Sequence, residues 1–375
     1  MIMRSQPRIL IMAGGTGGHV FPALTIAQEL RAQGSHIEWL GTRAGIEARV
    51  LSHTDIPLHC ISMAGLRGKG LLRKLLAPFM LMTAFVQSLR VISKLKPSCV
   101  LGMGGYVTGP GGLAARVLGK PLLIHEQNAV AGMANAMLFP LAWRALEGFP
   151  GAFVRKLGTR AEGQKKILYV GNPVRADILA IAPPAERLLA RKGPLRMLVI
   201  GGSLGASVFN ELVPAALAGI GGDIRPEVRH QCGRGKLTAT LQAYSAAGLA
   251  GDDHILVSEF IEDMAEAYAW ADIVLCRAGA STLAEIAAIG LPAVLVPYPF
   301  AVDDHQAANA QALVKVGAAT MLSQNALTPQ TLRDVLLQCA TDRQRLLQQA
   351  QAALGASKRD AGLAVARLCL EACHG

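Results

Sequence analysis

Short runs of consecutive apolar residues alternate along this chain with stretches whose apolar positions recur every three or four residues. The first kind of pattern marks strands buried on both faces and the second marks amphipathic helices, so together they predict βα units built around parallel sheets. Strands are expected over 8–13, 36–41, 58–62, 99–102, 121–126 and 167–170, and then over 196–200, 227–232, 254–258, 272–276, 292–296 and 319–322. Between the first two, Pro22 suits the first turn of a helix, Leu24, Ala27 and Leu30 recur on one face, and Gly34 supplies a left-handed cap. The opening Pro7-Arg8-Ile9-Leu10-Ile11-Met12-Ala13-Gly14-Gly15-Thr16-Gly17-Gly18 is echoed by Pro194-Leu195-Arg196-Met197-Leu198-Val199-Ile200-Gly201-Gly202-Ser203-Leu204-Gly205. Each half therefore begins as a Rossmann-like domain, in which a strand delivers a glycine turn to a helix N-terminus. Gly171-Asn172-Pro173 reads as a linker, giving an α/β chain with one domain over 1–170 and a second over 171–357.

Composition narrows the classes. Of 375 residues 51% are hydrophobic and 17% charged, which excludes a disordered chain. The longest apolar stretch, 286–302, is cut by Gly290, Pro292, Pro297 and Pro299, and a bilayer span needs about 20 uninterrupted residues. Residues 9–13 run straight into glycines without a longer apolar region or a cleavage site, so no secretory leader is expected and the chain is read as cytosolic. The seven cysteines are scattered without a CxxC pair, as free thiols in a reducing compartment would be. No HExxH or carboxylate cluster has metal-ligand spacing, so neither metal nor cofactor is expected.

Glycine turns at helix starts suit diphosphates, because backbone N–H groups and the positive end of the helix dipole meet there. Three such turns occur, at 14–18, 102–105 and 201–205. A dinucleotide is disfavoured, since Val20 stands where the third glycine of GxGxxG belongs and no acid follows Leu40-Gly41-Thr42. A Walker-type GxxxxGK[ST] is absent. What remains is a diphosphate ligand with another base and sugar. Arg277-Ala278-Gly279-Ala280-Ser281-Thr282-Leu283-Ala284-Glu285 opens a further helix, where Glu285 offers a carboxylate to vicinal hydroxyls or is a solvated first-turn acid favoured by the dipole. His19 is placed to take a proton from a hydroxyl, or else hydrogen-bonds the turn. Segment 66–82 mixes four basic residues with a dense apolar run, which fits an interfacial element on anionic lipid or a buried helix with a solvated basic end. The surplus of +11 fits an anionic membrane surface, and no aromatic-and-basic motif points to nucleic acid.

These motifs, with Gly102-Met103-Gly104-Gly105-Tyr106, His125-Glu126-Gln127-Asn128, Gly171-Asn172-Pro173-Val174-Arg175 and Asp304-His305-Gln306, resemble the GT-B glycosyltransferases. Among these, the chain is most similar to the enzymes that convert lipid I to lipid II in peptidoglycan synthesis. The resemblance implies two Rossmann-like domains with parallel sheets facing a central cleft, and a C-terminal helix over 358–373 that packs back on the first domain. It implies inverting transfer of N-acetylglucosamine from UDP-N-acetylglucosamine to the MurNAc C4 hydroxyl of undecaprenyl-pyrophosphoryl-MurNAc-pentapeptide, on the cytoplasmic face of the bacterial inner membrane, where cell-wall synthesis proteins are partners. Arg175 and Ser203 would meet the donor diphosphate, the backbone around Ile261 its uracil, and Ala280, Ser281, Thr282, Leu283, Ala284 and Glu285 its phosphates and ribose. Gln306, or His305 beside it, would meet the sugar. Thr16, Gly17, Gly18 and Asn128 would act from the first domain, with His19 as general base or as the group orienting the hydroxyl. Ala278 and Leu204 stand where Ser and Gln are common in the family. A sugar-nucleotide epimerase on the same fold, with no use for 66–82, and a non-catalytic nucleotide sensor are the alternatives.

Overall fold

The computed structural model describes residues 6–63, 71–189, 191–202 and 205–374. The chain forms two compact units, residues 1–174 with 358–375, and residues 175–357. In the first, the strands are β1 (Arg8–Met12), β2 (His36–Gly41), β3 (Leu58–Cys60), β4 (Cys99–Gly102), β5 (Leu122–Glu126), β6 (Arg144–Glu147) and β7 (Ile167–Tyr169). In the second they are β8 (Arg196–Ile200), β9 (Glu227–Gln231), β10 (Ile255–Ser258), β11 (Ile273–Cys276), β12 (Ala293–Leu295) and β13 (Ala319–Met321).

Among the described residues the first sheet has the order β3-β2-β1-β4-β5-β6-β7 and the second β10-β9-β8-β11-β12-β13. Every neighbouring pair is parallel. The order therefore reverses between β1 and β4, and at the equivalent place between β8 and β11. At such a reversal the connecting helices leave on opposite faces, which opens a crevice at the C-terminal ends of the strands.

Both faces of the first sheet are buried, which is why its strands read as unbroken apolar runs. Ile9 and Ile11 pack with Val20, Ala23, Ile26 and Leu30 of the helix Gly17–Ala32 and with Val365 and Cys369 of the helix Ala361–His374. The alternate residues Leu10 and Met12 pack on the other face with Ala84, Ile92 and Ala114. The C-terminal helix thus completes the core of the first unit, and the Cys99 thiol donates to the Cys369 carbonyl at 3.4 Å.

Two local expectations need correction. The helix after β1 begins at Gly17, so Pro22 lies in its second turn, where its missing N–H costs one intrahelical bond; the glycine turn starts the helix instead. The far end ends as expected on Gly34 at φ +82°, where Gly34 N–H meets Arg31 O and Ser35 N–H meets Leu30 O. The second correction is β6, which the apolar pattern misses because Arg144 and Glu147 flank only Ala145 and Leu146.

Glu147 explains why an acid ends that strand. Its buried carboxylate accepts the Gly151 N–H at 2.7 Å and the Phe153 N–H at 2.8 Å, satisfying the start of the helix Ala152–Leu157. Glu147→Ala strands both donors and is expected to lower unfolding free energy by about 3 kcal/mol, measured by urea denaturation.

Candidate functional site

In the first unit the site grows from the seam between β1 and β4. The turn after β1 places Gly15 at φ +92° and leaves Thr16 exposed as the N-cap of Gly17–Ala32. Thr16 makes no side-chain cap bond, and its carbonyl accepts the His19 and Val20 N–H groups. The turn after β4 packs directly on this one: Gly105, at φ +83°, faces Gly14 so closely that a Cβ would collide with the Gly14 carbonyl.

Beneath the first turn lies Glu47, whose side chain sequence reasoning did not single out. It is fully buried; Oε2 accepts the Gly15 N–H at 3.3 Å, and Oε1 accepts the Thr42 N–H at 2.9 Å and its hydroxyl at 2.8 Å. The Gly15 N–H is therefore committed to a carboxylate and is no diphosphate donor. Its partner is 32 residues away, which leaves no local signature.

The motif at 125–128 is a bracket of hydrogen bonds at the end of β5. Burial holds the His125 imidazole down at about 4, so it is neutral near pH 7, and its Nε2 donates to the Gly171 carbonyl at 2.9 Å. Glu126 accepts the Asn128 N–H and Nδ2 on Oε1, and the Gly132 N–H and Asn135 Nδ2 on Oε2. Gln127 meets the half-buried His19, with Oε1 at 3.1 Å from Nδ1. Thr16, Gly17, Gly18, His19 and Asn128 accordingly lie together at the C-terminal edge of the first sheet.

The second unit repeats the plan. After β8, Gly205 at φ +65° lies so near Cys232 O that no side chain fits. Ser203 and Leu204 lie outside the described residues. After β11, Arg277 donates to the carbonyls of Val296 and Pro297 and to Gln324 Oε1, while its guanidinium stacks on Phe209 and Tyr298. Gly279 then caps the helix Ala280–Ala288.

Glu285 falls in the second turn of that helix and is half-buried, so it is no solvated first-turn acid. Tyr268, fully buried, donates its hydroxyl to Glu285 Oε2 at 2.9 Å. Burial raises the Glu285 carboxyl above its ordinary range, opposed by the Tyr268 hydrogen bond and by the charge of Arg175. Arg175, at the N-cap of the helix Ala176–Leu179, lies 3.6 Å from Asp177. Ala280, Ser281, Thr282 and Ala284 share the opening turns with it, whereas Leu283 buries its side chain and gives its N–H to Gly279 O. Ile261 follows β10, beyond β9 from the seam, and Gln306 sits in the first turn of the helix His305–Lys315, its Oε1 accepting the Tyr298 N–H at 2.9 Å.

Two Rossmann-like units, each with glycine turns gathered where its parallel sheet reverses, are the architecture of the GT-B class, to which many sugar-nucleotide transferases belong. The chain belongs to glycosyltransferase family 28: the family's N-terminal domain matches residues 9–146 and its C-terminal domain residues 196–364. A relative in Marinobacter nauticus, named UDP-N-acetylglucosamine--N-acetylmuramyl-(pentapeptide) pyrophosphoryl-undecaprenol N-acetylglucosamine transferase, is 50% identical over 98% of both chains. A protein of the same name in Alkalilimnicola ehrlichii is 51% identical over 97% of this chain and 98% of its own. The crystal structure of Acinetobacter baumannii MurG superposes with a TM-score of 0.83 at 41% identity, covering 97% of this chain and 99% of that one.

Two buried histidines make stability pH-dependent. His125 and His230 are each held down at about 4 by burial, against about 6.5 when unfolded. Below pH 6.5 the unfolded chain takes up protons that the folded one refuses, so stability present at pH 7 is lost as pH falls towards 4, on the order of 3 kcal/mol for each histidine. Denaturation midpoints measured between pH 7 and 4 are expected to fall, with a shallower slope in His230→Asn.

Proposed function

We propose that this chain transfers N-acetylglucosamine from UDP-N-acetylglucosamine to the MurNAc C4 hydroxyl of undecaprenyl-pyrophosphoryl-MurNAc-pentapeptide, giving lipid II and UDP. The observation that carries this reading is half identity, over 98% of both chains, to a transferase whose name states that donor and acceptor. In a single displacement the C4 oxygen attacks the anomeric carbon as the bond to the UDP oxygen breaks, inverting the centre. The hydroxyl proton passes to His19. Arg175, Ser203 and the helix start at Ala280 meet the charge on the departing diphosphate without a metal. Glu285 accepts from the ribose hydroxyls, held for this by Tyr268; the backbone at Ile261 meets uracil, and Gln306 or His305 meets the sugar. Thr16, Gly17, Gly18 and Asn128 serve the acceptor side.

The test is UDP release, with product masses, from the purified chain given UDP-N-acetylglucosamine with and without a short-chain lipid I analogue. Acceptor-dependent release and a product heavier by one N-acetylhexosamine are expected. Binding without turnover would leave a nucleotide sensor, and UDP-N-acetylmannosamine formed without acceptor would make the chain an epimerase. His19→Ala should lower turnover by roughly a hundredfold or more with donor affinity little changed; unchanged turnover removes His19 from the chemistry.

A lipid-linked acceptor implies a chain that works at a membrane surface, peripherally on the cytoplasmic side of the inner membrane. Among the described residues no helix is long and apolar enough to cross a bilayer. Residues 66–70 of the basic, apolar segment lie outside the described residues, and the remainder opens the helix Leu71–Leu95. That helix packs on Thr108–Val117, which packs on Met133–Leu138. All three expose large apolar side chains, including Phe79 and Met137 at 72% and Val117 at 63%. Such surface favours an interface, with basic neighbours drawing it to anionic lipid. Phe79→Glu combined with Met82→Glu is expected to weaken co-sedimentation with anionic vesicles several-fold while leaving turnover of the soluble short-chain acceptor unchanged.

A further inference from the structure

We infer that Gln127 is a positioning residue that fixes the tautomer of His19, so that Nδ1 carries the hydrogen and Nε2 the lone pair. The inference rests on the reading of His19 as the base and says which of its nitrogens does the work. It follows from two contacts of one amide. Gln127 is 2% exposed, and its Nε2 lies 2.8 Å from the Met103 carbonyl oxygen. A carbonyl only accepts, so the NH2 end of the amide must face it, which settles how the amide is turned. The other end, Oε1, then lies 3.1 Å from His19 Nδ1. Oε1 also only accepts, so Nδ1 must donate. The opposite tautomer would set two lone pairs against each other beside a buried amide, at the cost of an unmade hydrogen bond.

The surroundings hold this pair in place. The Gln127 carbonyl accepts Asn172 Nδ2 at 2.9 Å, tying the backbone of the motif to the Gly171-Asn172 turn. On the histidine side, a Cβ at Gly104 would fall 2.7 Å from Nδ1, so the Nδ1 edge of the ring is packed against the second glycine turn. One edge of the imidazole is thus enclosed by Gly104 and Gln127, which leaves Nε2 as the proton acceptor. A neutral amide performs this orientation without adding charge, whereas a carboxylate in its place would also bind the imidazolium.

The test uses the full chain labelled with 15N-histidine, in which long-range proton–nitrogen spectra separate the two neutral tautomers. The His19 signals are assigned by their loss in His19→Asn. The Nδ1–H form is expected to dominate in the unsubstituted chain, and Gln127→Met, of similar length but with no acceptor, should move the ring towards Nε2–H. The same variant should lose about tenfold or more in kcat with the KM for UDP-N-acetylglucosamine within about twofold, as loss of a correctly poised base predicts. An Nε2–H ring in the unsubstituted chain overturns the inference even if Gln127→Met does not fold, and unchanged kcat in a folded Gln127→Met does so too. Full turnover in His19→Asn would instead remove the base itself, while the tautomer spectrum would still report on the amide.

Discussion

The reversal of strand order between β1 and β4, and again between β8 and β11, is the constraint from which the rest of this molecule follows. Adjacent parallel strands whose helices depart to opposite faces leave their C-terminal ends uncovered, so the turns that follow them are the ones able to meet a ligand. Glycine is required there for a packing reason before any chemical one. The turns after β1 and β4 touch, and the approach of Gly105 to Gly14 leaves no room for a side chain. His19 is set against Gly104 by that same closeness.

Carboxylates hold the first unit's edge together. Glu126 and Glu147 are register partners that end β5 and β6, and each takes backbone or amide donors from the loop and helix that follow its own strand, four at Glu126 and two at Glu147. Glu47 does likewise for Gly15 and Thr42. Hydrogen bonds to an ionised acceptor are roughly twice as strong as neutral ones, and these are buried, so they fix loops that apolar contacts alone would leave loose. The amide of Gln127 belongs to the same device, with the difference that its fixed partner is a side chain able to take a proton.

Much of this was legible in the sequence. Strands such as β1 and β8 declare themselves because burial on both faces makes every position apolar, and the glycine turns declare themselves because a left-handed φ and a close backbone approach leave few other residues acceptable. β6 was illegible because half of its residues are a half-buried arginine, stacked on Trp143, and a capping acid. Pro22 misled because a proline is at home in the first turn, while here the glycine turn had already begun the helix. Glu47 and Tyr268 were hidden for another reason: each acts on a residue distant in sequence, Gly15 and Glu285, and nothing in the letters around them registers that partner.

The two seams differ in charge, and the difference bears on which ligand each suits. Beneath the first unit's leading turn sits the Glu47 carboxylate, which consumes the Gly15 N–H and opposes an anion held above it. In the second unit the carboxyl near the seam, Glu285, is raised by burial, bonded to a tyrosine hydroxyl and faced by the cation of Arg175. A nucleotide diphosphate carries concentrated negative charge, whereas a sugar hydroxyl awaiting activation carries none. Under the proposed function, electrostatics therefore matches the diphosphate to the second unit's seam and the hydroxyl to the first unit's, where the amide of Gln127 meets the imidazole of His19.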